Sequence, residues 1–334
     1  MAGAARGLRG KSVLVTGACG FIGSHLVERL VREGARVTAF IRYTSRGDVG
    51  LLRFTPPEVR NEFEIVAGDL RDPDAVRAAC ARQTIVFHLG ALIAIPYSYQ
   101  HPREVTETNV LGTLNVLEGA RAHDVGRVIH TSTSEVYGTA QRVPIDEDHP
   151  RAAQSPYAAS KTGADQLARA YHRSFGTPVV TLRPFNTYGP RQSDRAVIPT
   201  IIAQALASDV VRLGSLTPTR DLTFVLDTVD GFIRCATAAK AVGEEINLGT
   251  GEEISIGDLA KKIIAAAGRP VRIVQDKGRV RPPKSEVERL ISDHRKARRL
   301  LGWRPTVSLE KGLRETIAFV EKNMDLYMPG AYRT

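Results

Sequence analysis

The sequence is poor in the features that mark several classes of protein. Its 334 residues include only three cysteines, Cys19, Cys80 and Cys235, and none has the CxxC spacing of a redox or zinc site. We therefore expect no disulfide framework, no metal site and a reducing, cytoplasmic location. No apolar run approaches the roughly 20 residues of a membrane helix, and residues 1–11 lack the apolar core of a signal peptide. We expect no membrane partner.

Acidic residues are outnumbered, since 46 lysines and arginines face 36 aspartates and glutamates and give a net charge of +10. The densest basic segment is 294–304, HRKARRLLGWR. We interpret it as a solvated helix face, because no interleaved aromatic residues and no nucleic-acid motif accompany it. We therefore expect no nucleic-acid partner. Anionic small substrates are a further class of partner that a basic protein attracts.

Strand-like apolar runs alternate with helical patterns in the first half of the chain. This alternation predicts an α/β fold, a doubly wound parallel (Rossmann) sheet covered on both faces. We predict a dinucleotide-binding domain over 1–186, a smaller irregular α/β substrate-binding lobe mainly over 187–325 and a tail over 326–334. Segment 219–240 resembles a strand feeding a helix and is expected to return to the first domain. The predicted strands are 12–17, 35–41, 62–69, 84–90, 126–134 and 177–186, with helices near 21–34, 73–81, 102–122 and 156–175.

Three glycines follow the first predicted strand in the stretch TGACGFIG. Gly17, Gly20 and Gly23 have the spacing GxxGxxG at the start of a helix, which allows a tight turn and a close approach of backbone to a pyrophosphate. The sequence therefore predicts dinucleotide binding here, with Phe21 and Ile22 as further contacts.

The end of the second strand bears on the choice between NAD and NADP. An acid there binds the ribose 2′-hydroxyl, whereas an arginine accommodates a 2′-phosphate. This chain has Arg42 in the stretch FIRYTSRGD, which favours NADP. After the third strand, Asp69 is placed to accept from an adenine amine, and Leu70 beside it is a further predicted contact. From the residues alone the cofactor stays NAD or NADP.

Tyr157 and Lys161 lie four residues apart in SPYAASK. On a helix this spacing puts both side chains on one face. We expect the Lys161 ammonium to lower the pKa of Tyr157 and make it a general base for an alcohol proton.

Together, Gly17, Gly20, Gly23, Thr133, Tyr157 and Lys161 resemble the extended short-chain dehydrogenase/reductase family over nearly the whole chain. The stretches RPFNTYGPRQ, TRDLTFVLDTV and NLGTG are further hallmarks. The resemblance implies a nucleotide-diphosphate sugar as substrate and a homodimer formed through the helices near 102–122 and 156–175. The residues implied to bind this substrate are Asn186, Arg191, Arg220 and Arg281.

Within that family the stretch HTSTSEVYG, 130–138, separates the activities. The C4 epimerases usually have no acid after the catalytic threonine, whereas 4,6-dehydratases have Thr-Asp-Glu or Thr-Ser-Glu and UDP-glucuronate decarboxylases Thr-Ser-Glu. The stretches ALIAIPYSYQHP and SLTPTRDLTFVLDTVDGF look most like NAD-dependent dehydratases of nucleotide-linked N-acetylglucosamine of the legionaminic-acid type. The resemblance thus implies a nucleotide-sugar 4,6-dehydratase, with decarboxylase and epimerase as alternatives. Its implied catalytic residues are Thr133, Ser134, Glu135, Tyr157 and Lys161.

Ser134 stands where some dehydratases have an aspartate that protonates the leaving hydroxyl. A serine hydroxyl is far too weak an acid for that task. Glu135, a water molecule or Tyr157 are the remaining candidates, and the sequence leaves this choice open.

Overall fold

Fourteen strands occur in the computed structural model, which describes residues 7–329. Seven of them form one parallel sheet in the order β11-β6-β5-β4-β1-β2-β3. This confirms the predicted doubly wound parallel sheet. The strands are β1 Ser12–Thr16, β2 Arg36–Arg42, β3 Phe63–Gly68, β4 Ile85–His88, β5 Arg127–Thr131, β6 Val179–Pro184, β7 Thr187–Tyr188, β8 Val210–Leu213, β9 Thr219–Arg220, β10 Thr223–Phe224, β11 Glu245–Leu248, β12 Ile254–Ser255, β13 Arg272–Gln275 and β14 Arg289–Leu290.

Helices cover both faces of this sheet. Val13 and Val15 of β1 lie in the core on one face of the sheet, which also contains Leu26 of the helix Phe21–Arg32. Leu14 lies in the core on the other face, with Val116 of the helix Gly112–Ala122. Burial on both faces explains why the strands are nearly continuous apolar runs. The helices are α1 Phe21–Arg32, α2 Pro57–Arg60, α3 Pro73–Cys80, α4 Ile95–Gln100, α5 Pro102–Thr106, α6 Gly112–Ala122, α7 Pro156–Phe175, α8 Val197–Ala207, α9 Val225–Thr237, α10 Ile256–Ala267, α11 Arg295–Leu301 and α12 Leu309–Lys322.

The second half of the chain divides between the large sheet and a smaller lobe. Strand β11 pairs in parallel with β6 and so forms the seventh strand of the central sheet, although its residues lie in the range that the sequence assigns to the second lobe. Helix α9, inside the segment predicted to return, packs against α1. Strand β9, from the same segment, pairs instead with β12 and β14 in the small lobe.

The basic segment 294–304 contains the short helix α11. Its first arginine, Arg295, binds the carboxylate of Asp293 at 2.5 Å, and Lys296 binds Glu244 at 2.8 Å. Part of its positive charge is therefore paired within the chain. Over residues 7–329, no helix combines the length and apolar composition that crossing a bilayer requires.

Candidate active site

The glycine loop lies between β1 and α1 and forms a cradle that side chains would fill. Gly17 has φ +68°, and a Cβ there would lie 2.7 Å from the backbone nitrogen of Gly90, which follows β4. A Cβ on Gly23 would lie 2.2 Å from the Gly17 oxygen. The cap residue Gly20 offers no side-chain hydrogen bond to the helix, so the first-turn N–H groups, those of Phe21 and Ile22 included, are available to an anion. These residues fit a dinucleotide pyrophosphate.

Charged side chains occupy the ends of β2 and β3. Arg42, 61% exposed in its side chain, lies 3.7 Å from Glu104. The Asp69 carboxylate accepts from the backbone and the guanidinium of Arg71, and these hydrogen bonds hold the pKa of Asp69 below its ordinary value. The Leu70 side chain packs against Gly90, where an added Cβ would lie 2.6 Å from Leu70 Cδ1. The structure thus brings Arg42, Asp69 and Leu70 to the sheet edge where the glycine loop lies.

Helix α7 presents Tyr157 and Lys161. Ser155 caps the helix by accepting from the Ala158 N–H at 3.1 Å, and Pro156 takes the first helical position, a combination that favours a helix start at this point. Tyr157 therefore lies in the first turn and Lys161 one turn later. Both side chains are buried, with 7% and 3% exposure.

Thr133, Ser134 and Glu135 lie directly after β5. Thr133 accepts from the Glu135 N–H at 3.3 Å and caps a short 3-10 turn, Ser134–Tyr137. Gly138 ends this turn with φ +64°, and a Cβ there would lie 2.2 Å from the Ala152 oxygen. Ser134 is buried at 3% exposure, whereas Glu135 is half-buried.

Electrostatics connect these groups. Burial raises the pKa of Tyr157 above its ordinary value, a hydrogen bond with Thr133 lowers it, and the charge of Glu135 raises it. Desolvation dominates, so the net pKa of Tyr157 lies above its ordinary value, and the lowering by Lys161 stays a prediction. Burial also lowers the pKa of Lys161 to about 8, against the pull of Asp165. Thr133, Glu135 and Tyr157 therefore share one site, and Lys161 lies one turn after Tyr157 on α7.

The sequence did not indicate a role for Asn109, which forms a hydrogen bond with helix α7. Its side chain donates to the Ser160 hydroxyl at 3.0 Å and to the Leu92 carbonyl at 2.9 Å, and it accepts from the Leu92 N–H at 2.8 Å. Ser160 in turn donates to the Tyr157 carbonyl at 2.7 Å. Asn109 lies in a π-helical turn, Glu107–Leu111, and such turns occur frequently at functional sites. TETNVLGT carries no periodicity that reveals this turn.

The predicted substrate-binding arginines Arg220 and Arg281 converge on Glu286. Arg220 is buried at 8% exposure and donates to the Glu286 carboxylate at 3.2 Å, and Arg281 lies 3.6 Å from the same oxygen. Burial lowers the pKa of Arg220, and the charge of Glu135 opposes this shift. Glu135 therefore acts electrostatically on both Tyr157 and Arg220.

Asn186 and Arg191 have different surroundings. Asn186 has a buried side-chain nitrogen, Nδ2, that meets no hydrogen-bond acceptor within the described residues. Arg191, predicted to bind substrate, instead donates to Glu28 of α1 at 2.8 Å and to the Phe54 carbonyl at 3.0 Å. These bonds fasten the loop after β7 onto α1, and the substrate contact of Arg191 stays a prediction.

Comparisons with known proteins agree with this geometry. The family model described as GDP-mannose 4,6 dehydratase matches residues 14–316. A UDP-glucose 4-epimerase of Mycolicibacterium smegmatis is 36% identical, covering 92% of this chain and 97% of the relative. A dTDP-glucose 4,6-dehydratase of an Actinoplanes species is 34% identical over 93% and 98%. The crystal structure of DesIV, a dTDP-glucose 4,6-dehydratase from Streptomyces venezuelae with NAD bound, superposes with a TM-score of 0.85 at 32% identity, over 95% of this chain and 98% of that one.

Proposed function

The chain belongs to the GDP-mannose 4,6-dehydratase family of extended short-chain dehydrogenases/reductases, and we propose that it is a nucleotide-sugar 4,6-dehydratase. The observation that carries this proposal is the position of Glu135. It shares a site with Thr133 and Tyr157, and its charge acts on Tyr157. Oxidation of an alcohol needs no such acid, whereas elimination of water needs a second base.

The cofactor is NAD, as in the solved relative with which the chain superposes. Gly17, Gly20 and Gly23 would hold its pyrophosphate with the first-turn N–H groups of α1. The bound cofactor would supply the hydride chemistry, with C4 of the sugar as hydride donor and C6 as the later acceptor. Arg42, the residue that favours NADP in the sequence, lies 3.7 Å from the Glu104 carboxylate.

Oxidation at C4 needs a proton acceptor and an orienting group. The Tyr157 phenolic oxygen takes the proton of the C4 hydroxyl, while the Thr133 hydroxyl forms a hydrogen bond with the C4 oxygen of the sugar. Since burial makes the phenolate costly, the Lys161 ammonium one helical turn away supplies the positive charge that favours it as the proton transfers. The product of this step is a 4-keto sugar whose C5 proton is acidic.

Elimination follows across C5 and C6. Glu135 takes the C5 proton and delivers it to the C6 hydroxyl, which leaves as water. Ser134 is buried and too weak an acid for this delivery, and we assign it to Glu135, which holds the proton just taken from C5. The proton that Tyr157 took from the C4 hydroxyl returns to C5 as the hydride reaches C6. The balance is the loss of one water and a 4-keto-6-deoxy product.

The diphosphate of the substrate would lie against Arg220 and Arg281. Two guanidinium groups directed at one place suit phosphate oxygens, which they bind bidentately. Their present partner is Glu286, so a diphosphate would compete with this carboxylate for the same donors. The unpartnered Nδ2 of Asn186 is a third donor for the nucleotide sugar.

We also propose that two copies of the chain pair through α6 and α7. These helices pack together, and the segment before α6 and the end of α7 expose Leu111 at 48% and Phe175 at 53%. Light scattering coupled to size exclusion measures the assembly, and a monomeric mass would contradict this proposal.

A panel of UDP-, GDP-, dTDP- and CDP-sugars incubated with the enzyme and NAD tests the activity. Mass spectrometry should find the loss of one water from one of them. A C4 epimer without mass change would instead favour the epimerase activity of the Mycolicibacterium relative. Release of carbon dioxide from UDP-glucuronate would favour the decarboxylase alternative. Either result would overturn the dehydratase proposal.

A further inference from the structure

A fully buried carboxylate, Asp165, lies one helical turn beyond Lys161 on α7. It is 0% exposed. Its Oδ1 accepts from His130 Nε2 at 3.0 Å, and its Oδ2 accepts from the Ser132 hydroxyl at 2.8 Å and from Arg183 Nη2 at 2.9 Å. Residues i and i+4 of a helix share a face, so Asp165 faces the same interior as Lys161.

Two of these partners lead back to the active site. Ser132 immediately precedes Thr133, and its own N–H is held by the Leu182 carbonyl at 2.7 Å. Arg183 donates through Nη1 to the Tyr137 hydroxyl at 2.9 Å. Tyr137 closes the same 3-10 turn that carries Glu135. A single carboxylate therefore connects the segments that carry Thr133, Glu135 and Lys161.

We propose that Asp165, acting with Arg183, is a positioning residue for the reaction, which holds the threonine strand end, the Glu135 turn and the lysine in one arrangement. Both side chains are fully buried, at 0% exposure, so this role is one of positioning and involves no contact with the substrate. The inference rests on the proposed oxidation through Tyr157 and Lys161, but it does not depend on the elimination step. If the dehydratase proposal fails, the role of Asp165 can still be tested with any nucleotide sugar that the enzyme oxidises.

The charges around Asp165 alternate. Its negative charge lies between Lys161 and Arg183, and Arg183 also binds Glu245 at 3.0 Å. Glu245 in turn pairs with Arg151 near the surface. Such a chain of alternating charges lets each buried ion keep its charge inside the protein.

Two buried histidines complete the surroundings of Lys161. His88 and His130 stack with ring centroids 5.9 Å apart. Burial lowers the pKa of both, and the charge of Lys161 lowers them further. Both imidazoles are therefore neutral near pH 7, and Asp165 supplies the negative charge that faces the Lys161 ammonium.

A buried ion pair contributes little to stability when compared with an apolar core of the same volume. The cluster around Asp165 therefore adds little to the free energy of unfolding, although it is fully buried. Nε of Arg183 also donates to Oδ2 at 3.2 Å, so the Asp165 carboxylate accepts four hydrogen bonds in all. These four bonds fix the geometry of the cluster. A displacement of about 1 Å in a catalytic group can cost about 10²-fold in rate.

The test is Asp165→Asn, which keeps the shape of the side chain and removes its charge. We expect kcat to fall about 10²-fold with KM for the nucleotide sugar within about twofold. Removing the anion also lowers the pKa of Lys161 from about 8, so the alkaline limb of the kcat profile moves to lower pH. A loss of kcat with an unmoved alkaline limb, or an unchanged kcat, would overturn the proposal.

Two further variants separate positioning from folding. Asp227→Asn removes another buried carboxylate, which accepts from the backbone of Thr306 and Val307, and it should lower thermal stability without shifting the pH profile. Tyr137→Phe removes only the hydroxyl that Arg183 holds. It should lower kcat about tenfold with the alkaline limb unchanged, and it stays informative if Asp165→Asn fails to fold. Wild-type kcat in Tyr137→Phe would contradict the proposed link to the Glu135 turn.

Discussion

Replacement of Gly23 by alanine should weaken NAD binding, for a reason that the backbone shows directly. The new Cβ would lie 2.2 Å from the Gly17 oxygen and 3.0 Å from the Ala18 Cα, where ordinary contact starts at 3.4 Å. The loop must therefore move by about 1 Å, and overpacking of this kind costs about 1–3 kcal/mol. The helix N-terminus that we propose as the pyrophosphate site moves with it.

We expect the Kd for NAD to rise about 10- to 100-fold, which is about 1.4–2.8 kcal/mol. Isothermal titration calorimetry with cofactor-free protein measures this Kd. Gly257→Ala is a matched control, because Gly257 also lies in the first turn of a helix and its Cβ would meet Leu216 at an ordinary 3.4 Å. NAD affinity in Gly23→Ala equal to that of wild type would refute the assignment of this loop.

Three other perturbations test separate parts of the account. Lys161→Met should lower kcat about 10²- to 10⁴-fold and abolish the alkaline limb near pH 8 in the rate profile, since the ammonium is lost as pH rises through about 8. Arg220→Lys should raise KM for the nucleotide sugar about tenfold with kcat nearly constant in steady-state assays. Burial lowers the pKa of His25 from 6.5 to about 4, so its stabilising contribution is complete above pH 6.5 and decreases as pH falls towards 4. Denaturant titrations should show a loss of about 3 kcal/mol that His25→Gln removes.

Local patterns were sufficient to predict much of the fold. The apolar runs at β1 to β6 alternate with amphipathic helices, and the chain must bury both faces of the inner strands, so the parallel sheet follows from periodicity. Tyr157 and Lys161 could be paired because four residues on a helix define a face. Strand β11 was not predicted as part of the sheet, since its pairing with β6 joins residues more than 60 positions apart.

The parts of the site that sequence could not predict depend on distant contacts. Nothing in the residues around Arg191 indicates that Glu28, more than 160 positions earlier, binds its guanidinium. The same holds for Asp165, whose partners come from β5 and β6. The direction of the pKa shift of Tyr157 also required the structure, because it depends on how far burial outweighs neighbouring charge.

The central claim is that Glu135 turns oxidation at C4 into loss of water across C5 and C6. Glu135→Gln tests it most directly, because the amide keeps the size of the side chain and cannot take the C5 proton. With the nucleotide sugar that wild type dehydrates, this variant should accumulate the absorbance of reduced NAD and form no 4-keto-6-deoxy product by mass spectrometry. Formation of that product at the wild-type rate would contradict the account.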